Sequence, residues 1–224
     1  AQKAIDRMKN HPKGFVMQIE SGKVDWAAHA NDIAGLIHDQ IEFDEAIKHY
    51  NILFDKYPQS TLLPIALYSI GDAYFNKGEY DQAVFNYNRV ISQYPNTPYV
   101  YDAVNGIQYC YVVQDKQDDA VNYLRNFINE HQGFDYVDKI QMKIGEIFYS
   151  SGQYDLAIIE YEKVVNNYPQ SASVSQAYYW MGKSAGLLND PEKAIPYFEY
   201  VKNNSLNTEE GFNSVLELGN IYRT

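Results

Sequence analysis

Five alanines at a fixed interval constrain this chain more than any other feature. Ala46, Ala83, Ala120, Ala157 and Ala194 are spaced by 37 residues throughout (83−46, 120−83, 157−120, 194−157). A period of that size marks a stacked-repeat architecture, in which each unit buries its apolar face on its neighbours. Four residues after each alanine comes a bulky side chain, Tyr50, Tyr87, Leu124, Tyr161 and Phe198, and the i, i+4 spacing puts each pair on one helix face. Twelve residues before the last four alanines stand Gly71, Gln108, Gly145 and Gly182, and Gly219 continues the series. An apolar residue precedes each of these (Ile70, Ile107, Ile144, Met181, Leu218), and Tyr74, Tyr111, Phe148, Ala185 and Tyr222 follow three residues later. The pattern predicts two helices per repeat, the first about Leu63–Asn76 and the second about Asp81–Gln93, recurring downstream. A last first-helix is expected over Glu209–Tyr222. With no second helix after it, the apolar face around Leu216, Leu218 and Ile221 would lack a cap, and the parent chain is expected to continue.

Acidic residues recur where each second helix starts, at Asp44, Asp81, Asp118, Asp155 and Glu192. There they complement the positive end of the helix dipole, a structural role. Asp190-Pro191 reads as an N-cap followed by Pro in the first turn.

A formal net charge of −11, from 18 Lys+Arg against 29 Asp+Glu, argues against nucleic acid or an anionic membrane as the main partner. No apolar run of about 18 residues is present, so no direct membrane insertion is expected. The single cysteine, Cys110, allows no intramolecular disulfide and reads as a buried hydrophobe. No signal peptide stands at the start, so the sequence shows no export address of its own, and the absence of an initiator Met suggests a processed or excised piece.

The first 43 residues follow other rules. AQKAIDRMKN reads as a short amphipathic helix, Phe15 to Ile19 as a strand between Gly14 and Ser21-Gly22, and Asp25 to Gln40 as a second helix. A lone strand needs sheet partners and none is visible downstream, so high mobility is expected for residues 1–22.

The combination apolar-Gly-x-x-Tyr, Ala-x-x-x-aromatic and then Pro58, Pro95 or Pro169 resembles the tetratricopeptide repeat, a helix-turn-helix unit of about 34 residues. The resemblance covers roughly Asp44 to Thr224. It departs from the family in its three extra residues per repeat, in Gln108 for Gly, and in Gln132 and Leu206 for Pro. It implies an all-α fold, a right-handed α-solenoid, with a short N-terminal helix/strand/helix segment ahead of it. The YPQS, YPNT and YPQS endings at Tyr57, Tyr94 and Tyr168 are most similar to repeats of bacterial cell-envelope proteins, which favours a periplasmic or envelope setting.

A second resemblance covers Lys13 to Lys48. KGFVMQIESGKVDWAAHANDIAGLIHDQIEFDEAIK is similar to the metal-binding segment of bacterial alkaline phosphatases. By that resemblance Glu20 would be a magnesium ligand, and Asp25 and His29 ligands of one zinc. Asp25 and His29 at i, i+4 can face one ion. The family's nucleophilic Ser and remaining ligands are not found, and two-metal phosphoryl transfer needs all of them in one place. The two resemblances meet at Phe43-Asp44-Glu45-Ala46-Ile47, where both demand a helix, so the join can fold without a break. Residues 1–43 are thus a phosphatase-like fragment, or a cap in which Ile33 and Ile37 pack beside Tyr50; a natural fusion, an engineered chimera and an assembly accident all fit the join.

In tetratricopeptide arrays the first helix of each repeat lines the concave surface. The resemblance places Tyr68, Asp72, Phe75, Asn105, Tyr109, Val112, Met142, Glu146, Tyr149, Tyr179, Lys183 and Gly186 there, and implies a peptide-binding groove in which Tyr68, Tyr109, Tyr149 and Tyr179 are anchors. Tyr74, Tyr111 and Phe148 are assigned to packing between helices. The Lys and Asn series that clamps an acidic tail in chaperone-binding members is missing. The expected function is a non-catalytic scaffold for a partner protein or peptide, with no cofactor. The alternative is a metal-dependent phosphomonoesterase, or a fragment of one, using zinc and magnesium.

Overall fold

The structure is a computed structural model that describes residues 33–223, with side chains from residue 42. The expected strand at 15–19, the mobility expected for residues 1–22, and Glu20, Asp25 and His29 lie outside the described residues, as do the side chains of Ile33 and Ile37.

Ten helices, and no strands, are found among the described residues: α1 Ile33–Lys56, α2 Leu63–Asn76, α3 Tyr80–Gln93, α4 Tyr99–Val112, α5 Gln117–Glu130, α6 Val137–Ser150, α7 Tyr154–Asn167, α8 Ser173–Leu187, α9 Pro191–Asn204 and α10 Glu209–Arg223. This is the all-α tetratricopeptide solenoid class, with helices at the sequence-predicted places. The join between the two sequence patterns falls inside α1, one uninterrupted helix.

The chain divides into two compact units, one ending at Asp115 and one starting at Lys116. In the first, α1, α2, α3 and α4 pack in sequence and α2 also touches α4. Phe43, Ile47, Ile70 and Ala73 form a core there, with Tyr50, Phe54 and Tyr74 against it. In the second, each helix from α5 to α10 packs on the next, and α6–α8 and α8–α10 are also in contact. Its core holds Ala157, Tyr161, Val164, Met181, Ala194, Phe198 and Leu218, with Phe148 and Ile221 packed on it.

Ala83, Ala120, Ala157 and Ala194 have no exposed surface. Their small side chains let neighbouring helices approach, which explains the recurrence. The glycines one half-repeat earlier answer to a large ring. A Cβ on Gly71 would lie 2.5 Å from the Tyr87 ring, one on Gly145 2.3 Å from Tyr161, and one on Gly182 2.7 Å from Phe198. Tyr87 is also closed in by Gly106, whose Cβ would stand 2.5 Å from the same ring.

The turns between paired helices repeat as well. Gly78 (φ 76°), Asp115 (φ 58°), Gly152 (φ 73°) and Asn189 (φ 56°) are left-handed, and they too are one 37-residue period apart (115−78, 152−115, 189−152). At three of them the following N–H bonds back to the helix end, Glu79 to Tyr74, Gln153 to Phe148 and Asp190 to Ala185, which is a Schellman closure. Asp81, Asp118, Asp155 and Glu192 lie in the first turns of α3, α5, α7 and α9, and Asp190 caps α9 by accepting from Lys193 N–H at 3.1 Å. Asp44 is the exception. Because α1 begins at Ile33, Asp44 is mid-helix rather than at a dipole end, and it accepts a bond from Lys77 at 2.8 Å.

Candidate functional site

The first helices of the repeats carry aromatic and polar residues, most of them half-buried beside the core. In the first unit these come from α2 and α4. Tyr68 is half-buried, its ring 5.6 Å from Tyr87 and stacked 6.4 Å from Tyr99. Asp72 accepts a 2.6 Å bond from the Tyr87 hydroxyl. Burial lifts the Asp72 carboxyl above its ordinary range, against the bonds from Tyr87 and Tyr68, and the nearby charge of Asp102 lifts it further. Phe75 meets Tyr80 edge-on at 5.5 Å. On α4, Tyr109 is 49% exposed, the most open of the four expected anchors, and Val112 is half-buried. The Asn105 Oδ1 is enclosed without a donor.

In the second unit, α6 and α8 contribute. Tyr149 and Tyr179 flank Trp180, at 4.9 and 5.6 Å, and Tyr179 also meets Phe198 at 6.1 Å. Lys183 pairs with Glu217 of α10 at 2.7 Å, a bond that holds its ammonium pKa above the ordinary lysine value. Burial raises the Tyr179 hydroxyl, with Lys183 opposing and Glu217, Glu210 and Glu209 adding to the rise. Beside this pair a cleft of about 320 Å³ is lined by residues of α8, α9 and α10, among them Gly186, Leu187, Phe198 and Asn220. A Cβ at Gly186 would meet nothing within 4 Å.

Glu146 lies on the same side but is engaged by Lys143 at 2.6 Å. Met142 is a correction: expected on the open face, it is 3% exposed and belongs to the core of the second unit. Tyr68 and Tyr179, at the same register, are half-buried. The thioether of Met142 has no polar tip to keep wet and is drawn in completely.

Elsewhere in the second unit Glu160, 3% exposed, accepts bonds from Arg125 (2.6 Å), Lys163 (2.9 Å) and Gln141 (2.8 Å). Burial pushes its carboxyl up, but these three donors outweigh it and leave the pKa below the ordinary range. No run of the sequence signalled this group, whose members come from three helices. Cys110 is fully buried, and burial pushes its thiol up to about 12, so it is an inert hydrophobe. Among the described residues no three His, Cys, Asp or Glu side chains are placed to hold a metal ion, and no helix is long and apolar enough to cross a membrane.

Comparison with known proteins gives two kinds of match. Tetratricopeptide repeat models match residues 140–171 and 175–200. Among the solved structures that share the fold are the following two. The chain superposes on BtubC from P. vanneervenii with a TM-score of 0.53 and 16% identity, covering 90% of this chain and 85% of that one. It superposes on a kinesin light chain protein of Podosopora anserina with TPR-like repeats with a TM-score of 0.52 and 12% identity, covering 84% and 94%. The other match is to alkaline phosphatases. Alkaline phosphatase 4 of Bacillus subtilis (strain 168) is 42% identical over 45 residues and alkaline phosphatase 3 of the same organism 36% identical over 45, in each case 20% of this chain and 10% of the relative. The chain thus spans about a tenth of the length of these curated relatives. The alkaline phosphatase family model extends further, over residues 1–138, a stretch whose described part, from residue 33, is helical repeat. By the extent of that match the chain belongs to the alkaline phosphatase family, and its N-terminal segment leads into a series of tetratricopeptide repeats.

Proposed function

We propose that the chain is a protein–protein interaction scaffold whose first-helix faces hold a segment of a partner protein. One observation carries this reading: in each unit the repeat fold leaves aromatic and polar side chains of successive first helices half-buried or exposed beside the core. In the first unit these are Tyr68, Asp72, Phe75, Asn105 and Tyr109, and in the second Tyr149, Tyr179 and Lys183 beside the cleft at Gly186. Half-buried tyrosines suit this role because they are rigid, carry much contact area and already have one face desolvated. The domain division that goes with it is a phosphatase-like segment over 1–43 and a repeat array over 44–224. The YPQS-type repeat endings favour a bacterial envelope setting. The test is to pan a random dodecapeptide library on the whole chain and measure the recovered peptides against Tyr109→Ala and Gly186→Tyr. The first removes an exposed anchor, and the second projects a ring from a position whose Cβ has open space, into the cleft; thermal unfolding checks that both variants keep the fold. About tenfold weaker binding by either variant supports the reading; a chain that recovers no peptide refutes it.

The family match favours a second reading, metal-dependent hydrolysis of phosphomonoesters. It would rest on Glu20, Asp25 and His29, a set that the described residues do not complete. Zinc calorimetry with a chromogenic phosphomonoester in the same sample decides it. Metal-dependent turnover that is lost in Asp25→Ala with His29→Ala supports hydrolysis, and the absence of turnover refutes it.

A further inference from the structure

The open face of the first unit is short of positive charge. Tyr68 of α2 stacks on Tyr99 of α4 across two helices in contact, and about one turn further along each stand Asp72 and Asp102; both charges are felt by Tyr68, and that of Asp102 by Asp72. Among the described residues no lysine or arginine pairs with either. The bonds Asp72 receives come from tyrosine hydroxyls, which supply hydrogens but no charge. Tyr68 and Tyr99 stack beside the carboxylate. The surface therefore offers carboxylates and ring faces, and among the described residues no cation is paired with either carboxylate. A guanidinium or ammonium carries three to five N–H donors, one positive charge and an affinity for tyrosine faces.

We propose that the first unit seats an arginine or lysine side chain of the partner segment, ion-paired with Asp72 and Asp102 and lying against the Tyr68 ring. This rests on the scaffold reading and adds the partner's chemistry to it: a stretch with a basic residue at a fixed place, in keeping with the chain's net charge of −11. An Asp72 carboxylate already out of bulk water meets its partner with part of the desolvation complete, so the pair contributes to specificity as well as to encounter.

The experiment uses the whole chain and dodecapeptides recovered from a random library. Asp72→Asn keeps an acceptor for the Tyr87 hydroxyl, and Asp102→Asn changes an exposed side chain, so the double variant retains the fold; thermal unfolding checks this. The expected result is that peptides selected on the natural chain share an Arg or Lys. Their Kd then rises about tenfold or more in the double variant, and exchanging that Arg or Lys for Gln causes the same loss with no further loss in the double variant. Peptides that are selected but share no basic residue, or that bind the double variant unchanged, overturn this inference and leave the scaffold reading standing. Recovery of no peptide overturns both.

Discussion

Replacing Gly145 with alanine tests the packing logic of the repeat. The added Cβ would lie 2.3, 2.6 and 2.8 Å from Cε1, Cδ1 and Cζ of Tyr161, where carbon atoms rest at about 3.5–4.0 Å. The Tyr161 ring has no exposed surface and cannot swing aside, so α6 and α7 must part by about an ångström. Overpacking of this kind costs about 1–3 kcal/mol, while alanine in a helix interior returns up to about 1 kcal/mol relative to glycine. The net expectation is destabilisation by about 1–2 kcal/mol. Gly219 is the internal control. It occupies the same register two repeats later (219−145 is twice 37), yet a Cβ there meets nothing within 4 Å, so Gly219→Ala is expected to stabilise by about 0.5–1 kcal/mol. Urea unfolding followed by far-ultraviolet circular dichroism reads both. Adding Tyr161→Leu to Gly145→Ala should remove most of the clash, as a coupling of about 1 kcal/mol or more in a double-mutant cycle. Leu124 already stands at that register, in the repeat where Gln108 replaces glycine. A Gly145→Ala variant as stable as the natural chain, or changes of one sign at both glycines, would refute the reasoning.

Three further outcomes are expected. Tyr87 donates to Asp72 at 2.6 Å whereas the equivalent Tyr161 hydroxyl is enclosed without a partner, so Tyr87→Phe should cost about 1.5–3 kcal/mol and Tyr161→Phe should be neutral or stabilising in denaturant titrations. Asp115→Gly or Asn189→Gly, at left-handed positions, should each stabilise by up to about 1 kcal/mol, and Gly78→Ala should destabilise by about as much. These two carboxyls, Glu160 and Asp72, give opposite pH dependences. Glu160, held below 4.5 by its three donors in spite of burial, contributes stability at neutral pH that is lost as pH falls below about 4.5. Asp72, lifted above 3.8 by burial, opposes folding at neutral pH, and that penalty fades as pH falls through its raised value. Unfolding midpoints measured from neutral to acid pH should therefore show a shallower acid loss in Glu160→Gln and a steeper one in Asp72→Asn; the reverse pattern would contradict both assignments.

The helix spans, the all-α class and the buried status of Ala83, Ala157 and Cys110 were legible in the residues. Each depends on a local period: i, i+4 spacing selects one face of a helix, and a 37-residue interval says which face every repeat must bury. The left-handed turn was also there to be read, as glycine, aspartate, glycine and asparagine at 78, 115, 152 and 189, the residue types that tolerate positive φ. Tertiary structure alone decided what the remaining positions do. Asp72 meets Tyr87, 15 residues away; Lys183 meets Glu217, 34 away; Glu160 gathers Arg125, 35 away, and Gln141, 19 away. Register aligned Asp72 with Glu146 and Tyr68 with Met142 as if they were equivalent, but Glu146 turned to Lys143 and Met142 sank into the core. A repeat period fixes the direction in which a backbone presents its side chains. Charge, hydrogen bonding and exposure then depend on the side chain opposite, which belongs to another helix and follows no period of its own.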